Sequence, residues 1–291
     1  AGRLRQDQKG LGRGESGGVK TRPRRGMEER NLGGEYCHVI VEQKDRTAIL
    51  KINRPEAGNR LNLSCLKELT AAFRAAEEAP EVRVMVITGV GENFSEGGDL
   101  GDFRRQSSAE MRRFGTALVV LHRAIAESSK PVIAAVRGAA NGGGLSLVEA
   151  CDLAVATRDA TFALPEIGSG LAPMISLAAP ARLLPRKGVM EMALLGAPIT
   201  AQRALEIGLV NWLCEGDDPV PPALAIAERL ASANPTAVAL CKRLYREMDA
   251  RAYAQQLGKG REMLVALLTS NNAKEALTAR EEGRLPRWRG K

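Results

Sequence analysis

Aromatic side chains and histidines are scarce in this chain of 291 residues, which has five Phe, three Tyr, two Trp and only two His. So few aromatic rings give no support for a surface that stacks on nucleic-acid bases, and nucleic acid is not an expected partner. The five cysteines are scattered singly, without a C-x-x-C pair, so neither a zinc site nor a disulfide framework is predicted. Unpaired cysteines are typical of a reducing compartment, and we expect the cytoplasm.

Long hydrophobic runs are missing as well. The longest uninterrupted ones, such as residues 132–136, are far too short to cross a bilayer. The hydrophobic fraction of 44% nevertheless lies in the ordinary globular range. We therefore expect a soluble, folded protein with no membrane partner.

The net charge of +8 is concentrated at the start of the sequence. Residues 1–26 hold eight basic and two acidic residues, together with seven glycines. This segment cannot bury a core, so residues 1–35 are predicted to form a disordered basic tail. Vector-derived or upstream-encoded sequence is the favoured interpretation. The alternatives are a polyanion-binding arm or a targeting segment, which would place the protein in the mitochondrial matrix.

Short runs rich in Val and Ile alternate with helical patterns from residue 36 onwards. The spacing predicts a hairpin from 38–41 and 48–52, then helices near 63–73 and over 108–128, and a helix from Leu145. Further strands are predicted at residues 82–88, 132–136, 153–156 and 161–164. This alternation predicts an α/β domain over residues 36–190. Residues 191–291 have a pattern that is helical almost throughout.

Two glycine clusters each follow a predicted strand and precede a helix-like segment. One is FSEGGDL at 94–100, and the other is GAANGGGL at 138–145. Bare backbone N–H groups at the start of a helix can hold a negatively charged oxygen. The glycines alone are explained equally well by tight turns. Neither cluster has the spacing of a phosphate-binding loop or a dinucleotide fingerprint.

Several motifs in order along the chain resemble the crotonase family, the enoyl-CoA hydratases and isomerases. The resemblance runs from about residue 37 to the C-terminus. The motifs are NRP (53–55), FSEGGDL (94–100), KPVIAAVRGAANGGG (130–144), ACDLAVA (150–156), FALPEIGSGLAP (162–173), ITAQRALEIGLVN (199–211) and PRWRGK (286–291).

This resemblance implies an enzyme that binds an acyl-CoA thioester. The thioester oxygen would lie between the backbone N–H groups of Gly98 and Gly143, an oxyanion hole that stabilises an enolate. Gly97 and Gly142 would border the bound substrate. Coenzyme A would enter as part of the substrate, and no metal or further cofactor is expected.

The acid–base residues depart from the pattern of the hydratases. Such enzymes use two glutamates, and their positions correspond here to Ser146 and Glu166. A serine has no useful acid or base strength at neutral pH unless a neighbour activates it. Glu166 alone suffices for an isomerase, which removes and returns one proton. Glu149, three residues after Ser146, is the alternative source of a second carboxylate.

Binding of CoA phosphates requires cations. The resemblance places Arg54 and Arg60 in the CoA-binding segment and Arg284 at a basic C-terminal position, while Arg280 replaces a usual aromatic residue. A solvated surface arginine is the competing interpretation of each.

The family implies a fold class: an α/β spiral of strand–strand–helix units over 36–190, followed by a helical oligomerisation region over 191–291. It also implies homotrimers or dimers of trimers. We favour an isomerase slightly over a hydratase. The alternatives are decarboxylation, thioester hydrolysis, or a non-catalytic, RNA-binding relative that uses the basic tail.

Overall fold

The computed structural model describes residues 35–178 and 184–287. The predicted tail lies almost entirely outside the described residues, and so do the last four residues of the closing PRWRGK motif.

The chain begins with the predicted hairpin. Strands β1 (Val39–Lys44) and β2 (Thr47–Ile52) pair antiparallel, and Asp45 takes a positive φ of 52° at the turn. The first helix, α1 (Leu63–Glu78), begins where the side chain of Asn62 accepts a hydrogen bond from the N–H of Cys65 at 2.8 Å. The predicted hairpin is therefore confirmed.

Among the described residues, the larger sheet has six strands, in the order β1, β2, β3 (Val84–Gly89), β4 (Val132–Val136), β6 (Leu153–Thr157) and β9 (Trp212–Cys214). Every pairing after the hairpin is parallel. The central strands are apolar on both faces because helices cover both sides, as is usual for parallel sheets.

A second, smaller sheet includes residues of the glycine cluster at 138–145. It consists of β5 (Ala139–Asn141), β7 (Thr161–Ala163) and β8 (Ile199–Thr200), in that order. Helix α2 (Ser108–Glu127) precedes β4, and α3 (Gly143–Ala150) starts two residues after β5 ends. The predicted α/β class is confirmed. Strand β5 was not predicted from the sequence, because a run of three residues carries almost no periodicity.

The C-terminal region is mainly helical. Its helices are α4 (Arg186–Leu195), α5 (Ala201–Glu206), α6 (Val220–Ser232), α7 (Pro235–Leu268) and α8 (Asn271–Glu281). It also supplies β8 and β9, two short strands that the sequence did not indicate. The larger and the smaller sheet therefore both extend across the predicted boundary at residue 190. Within the described ranges, no helix is long and apolar enough to span a membrane.

Candidate active site

The two glycine clusters are joined by backbone hydrogen bonds. The N–H of Ser95 donates to the carbonyl oxygen of Ala139 at 3.0 Å, and the N–H of Asn141 donates to the oxygen of Ser95 at 2.9 Å. These bonds fix the loop after β3 against strand β5. Segments that are 45 residues apart in sequence are thus held side by side.

Gly98 and Gly143 meet at this junction. Leu61 accepts from the N–H of Asp99 and donates to the oxygen of Gly97, so the intervening N–H of Gly98 points away from Leu61. A methyl group placed on Gly143 would lie 3.6 Å from the nitrogen of Gly98. Neither amide N–H donates to an acceptor in the described part of the chain. Two unused donors therefore lie together, and their role as an oxyanion hole, which the resemblance implies, stays a prediction.

Glu166 lies beside this pair of donors. It follows β7 in a 3₁₀ turn, Pro165–Ser169, and its Oε1 would be 2.8 Å from a methyl group on Gly142. Gly142 has a φ of +48°, so glycine is required there for both the backbone and the carboxyl. The Glu166 Oε2 atom is buried without a partner among the described residues.

The carboxyl of Glu166 is harder to ionise than an exposed one. Burial raises its pKa, which the N–H of Glu166 itself and the hydroxyl of Ser176 partly counteract. A carboxyl with a raised pKa near unused backbone donors has the properties of a general acid or base.

Ser146 has a partner that the sequence did not reveal. Its Oγ lies 2.9 Å from Nε2 of His122 on α2 and 2.9 Å from the carbonyl oxygen of Gly143. Nδ1 of His122 lies 2.8 Å from the carbonyl oxygen of Leu118. Burial lowers the pKa of this histidine, so the ring is neutral at pH 7.

Glu149 is buried near the end of α3. Neither of its carboxyl oxygens has a hydrogen-bond partner in the described ranges, and burial raises its pKa well above the ordinary value. The side chain is therefore harder to ionise than an exposed carboxyl. The structure brings it into hydrogen-bonding contact with neither Ser146 nor Glu166, so its role as a second carboxylate stays a prediction.

Arg54 and Asp99 form an ion pair that supports the first glycine loop. Both terminal nitrogens of Arg54 lie 3.2 Å from Oδ2 of Asp99, and one of them also donates to the carbonyl oxygen of Arg60. The guanidinium is thereby occupied inside the loop. This arrangement favours a structural role for Arg54 in place of the predicted contact with CoA.

A cleft of about 620 Å³ opens at Gly98. Three arginines line it. Arg60 pairs with Glu96, and Arg284 hydrogen-bonds to Glu275 and Glu282. Arg280 has no ion-pair partner in the part of the chain that the structure describes, and its side chain is exposed. It is therefore the arginine whose charge is freest to meet an anion, although Arg60 and Arg284 were the ones predicted.

A larger groove, of about 700 Å³, lies between α1 and α2 and contains none of the candidate site residues. The smaller cleft is the relevant one, because it reaches an unused N–H group. Within the described residues, no group of three or more His, Cys, Asp or Glu side chains is placed to hold a metal ion.

The sequence did not single out His122 as a site residue. It falls on the same helical stripe as the buried Leu118 and Ile125. A histidine on an apolar stripe is the signal that was available, since a buried imidazole requires polar partners.

Comparison with known proteins agrees with this geometry. The fold is that of the crotonase-fold acyl-CoA enzymes, since solved structures of enoyl-CoA hydratases and hydratase/isomerases match the chain. A family profile described as enoyl-CoA hydratase/isomerase matches residues 42–291. The chain belongs to this family.

Individual relatives support the assignment. A crotonyl-CoA hydratase of Syntrophomonas wolfei is 37% identical over 71% of this chain and 80% of its own length. A 2,3-dehydroadipyl-CoA hydratase of Escherichia coli is 32% identical over 87% of this chain and 99% of its own. The structure of an enoyl-CoA hydratase/isomerase from Xanthobacter autotrophicus Py2 has a TM-score of 0.78 at 31% identity, covering 86% of this chain and 95% of that one.

Proposed function

We propose that the protein binds an enoyl-CoA thioester and isomerises a 3-enoyl to a 2-enoyl group through an enolate. The observation that carries this proposal is the single carboxyl of Glu166 beside the unused N–H groups of Gly98 and Gly143.

The reaction needs one base and one anion site. The Glu166 carboxylate takes a proton from C2, and the electron pair moves to the thioester oxygen held by the two N–H groups. The same carboxyl returns the proton at C4, which leaves the double bond between C2 and C3. Coenzyme A takes part only as a portion of the substrate, and the proposed step uses no metal or redox cofactor.

Hydration of a 2-enoyl group is the second candidate. It is favoured by the relatives named as hydratases, such as the proteins of S. wolfei and Clostridium acetobutylicum. Hydration requires a second group that takes a proton from water, and Ser146 stands where the resemblance places a glutamate.

The test is proton exchange at C2 in deuterated water, followed by mass spectrometry, with 3-enoyl-CoA and saturated acyl-CoA substrates. We expect Glu166→Gln to abolish exchange while CoA-ester binding is retained, because an amide keeps the shape but accepts no proton. Glu228→Gln, on the exposed side of α6, is the matched control. Exchange that persists in a folded Glu166→Gln variant would overturn the proposal.

We also propose that the chain assembles as a trimer or a dimer of trimers. Large apolar side chains are exposed on α4 and α7, among them Leu195, 71% exposed, and Leu244, 63% exposed. Sedimentation equilibrium is expected to give three or six times the 31.2 kDa of one chain. A monomer at micromolar concentration would exclude this assembly.

The cytoplasmic location stays a prediction. Relatives from Danio rerio and Pongo abelii are named as mitochondrial, and the matrix is the alternative if residues 1–26 act as a targeting segment. The RNA-binding alternative predicts salt-dependent binding that disappears when residues 1–26 are removed.

A further inference from the structure

The hydrogen-bond partners of His122 fix where its proton lies. A carbonyl oxygen only accepts, so Nδ1, 2.8 Å from the oxygen of Leu118, carries the hydrogen. In the neutral ring, Nε2 is then an acceptor, and it faces the hydroxyl of Ser146 at 2.9 Å. The Ser146 hydroxyl proton therefore has two acceptors within reach, Nε2 of His122 and the carbonyl oxygen of Gly143 at 2.9 Å, and the serine oxygen keeps lone pairs for another donor.

The environment of the ring favours the neutral form. His122 and Ser146 are both fully buried. Burial lowers the pKa of His122, and its hydrogen bonds with Leu118 and Ser146 partly counteract this effect. No charged side chain in the described part of the chain contributes. Glu149 is a buried titratable group on α3, and burial raises its pKa well above the ordinary value, which favours its neutral form.

The position of Ser146 relates this pair to the donors. It lies three residues after Gly143, so both are on the same side of α3, within about one helical turn of 5.4 Å. The carboxyl of Glu166 meets the same turn at Gly142. The hydroxyl of Ser146, 2.9 Å from the carbonyl oxygen of Gly143, and the carboxyl of Glu166 thus meet the same turn of the chain.

We propose that Ser146 and His122 form a proton relay that serves as the second acid–base group and enables this protein to hydrate 2-enoyl-CoA. The inference rests on the proposed function, because it needs the same enolate and the same Glu166. Ser146 is the residue that contacts the attacking water, and His122 acts through it.

The relay balances protons and electrons. Water gives a proton to Oγ of Ser146 as its oxygen bonds to C3, and Ser146 passes its own proton to Nε2 of His122. The electrons of the double bond move towards C2, which takes a proton from the Glu166 carboxyl. The imidazolium then releases its proton to solvent water, and the Glu166 carboxylate takes one up.

A serine is shorter than a glutamate, so we expect hydration to be slower than isomerisation in the unaltered protein.

The experiment measures hydration of crotonyl-CoA and proton exchange at C2 on the same preparations. Ser146→Ala is expected to lower kcat/KM for hydration about 100-fold, the scale of one acid–base group.

His122→Gln separates basicity from positioning. The amide oxygen of Gln can accept from Ser146 but does not take up a proton, so hydration should fall as in Ser146→Ala. Adding Ser146→Glu to His122→Gln should restore hydration, since a carboxylate there needs no histidine. A merely structural role of His122 predicts no such rescue.

Thr70→Val is the matched control. It removes another buried hydroxyl that donates to a backbone oxygen, that of Leu66, in a helix outside the site. Circular dichroism establishes that each variant is folded.

The two proposals fail in distinguishable ways. No exchange in the unaltered protein overturns the proposed function. Normal exchange together with hydration that is absent in the unaltered protein, or unchanged in Ser146→Ala, overturns the relay alone.

Discussion

Gly97 and Asn141 pack so closely that a methyl group on Gly97 would lie 2.8 Å from the carbonyl oxygen of Asn141. Gly97 also has a φ of +102°, which side chains with a Cβ rarely adopt. Because Gly98 follows Gly97 and Gly143 lies two residues after Asn141, this contact fixes the spacing of the two candidate donors.

Gly97→Ala is therefore expected to damage both stability and activity. The strained backbone costs about 1–3 kcal/mol, and the clash separates the two donors. Gly258→Ala in α7 is the control, since no atom lies within 4 Å of the added methyl group and alanine favours helix by about 1 kcal/mol. Thermal unfolding and C2 exchange measure the difference. Equal midpoints and rates in the two variants would contradict the argument.

Gly143→Pro tests the donor itself. Gly143 is the first residue of α3, where proline is tolerated because its missing N–H has no partner within the helix. Gly143→Ala adds a Cβ at the same place but keeps the N–H. We expect exchange in the proline variant to be about 100- to 1000-fold below that of the alanine variant. Similar rates in the two would show that this N–H does not bind the thioester oxygen.

Ser176→Ala should shift the pH dependence of exchange. The base form of Glu166 is required, so exchange falls as the pH drops through the pKa of Glu166, which burial raises. The Ser176 hydroxyl favours the ionised form, and its removal raises the pKa further. The acidic limb of the rate profile should move to higher pH. A limb that stays in place, or moves to lower pH, would contradict this role of Ser176.

Arg280→Ala should weaken CoA binding without slowing the chemical step. Its charge lines the cleft at Gly98 and is unpaired within the described ranges. We expect a higher KM for CoA thioesters, a kcat close to that of the unaltered protein, and no change for a short thioester that lacks the phosphates. Arg203→Ala, on the exposed side of α5, serves as the control. An equal change in KM in both variants would argue against a specific contact.

The main α/β elements could be predicted from the sequence, because the apolar runs of strands such as β3 and β4 are clear. The pairing of Gly98 with Gly143 was implied by the resemblance to the crotonase family, since the glycines alone are explained equally well by tight turns. Strands β5, β8 and β9, of two or three residues each, were missed, whereas the equally short β7 was predicted within residues 161–164. They form only because a neighbouring strand offers them hydrogen bonds.

Which side chains contact each other could not be predicted from the sequence. The resemblance placed Arg54 in the CoA-binding segment. Its ion-pair partner, Asp99, lies 45 residues away in sequence and could not be recognised from that segment. The contact between Ser146 and His122 could not be predicted either, because the two residues lie on different helices. The pattern of one segment does not indicate which distant side chain neutralises or activates a residue.

The pairing of β9 with β6 has a consequence for any shortened form of this protein. Trp212, Leu213 and Cys214 cover the outer side of β6, opposite Val155, Ala156 and Thr157. A fragment that stops near residue 190 would leave β6 as a bare edge strand with unpaired N–H and C=O groups, a template for aggregation. The N-terminal and C-terminal regions thus form one folding unit. We expect a fragment without the C-terminal region to aggregate.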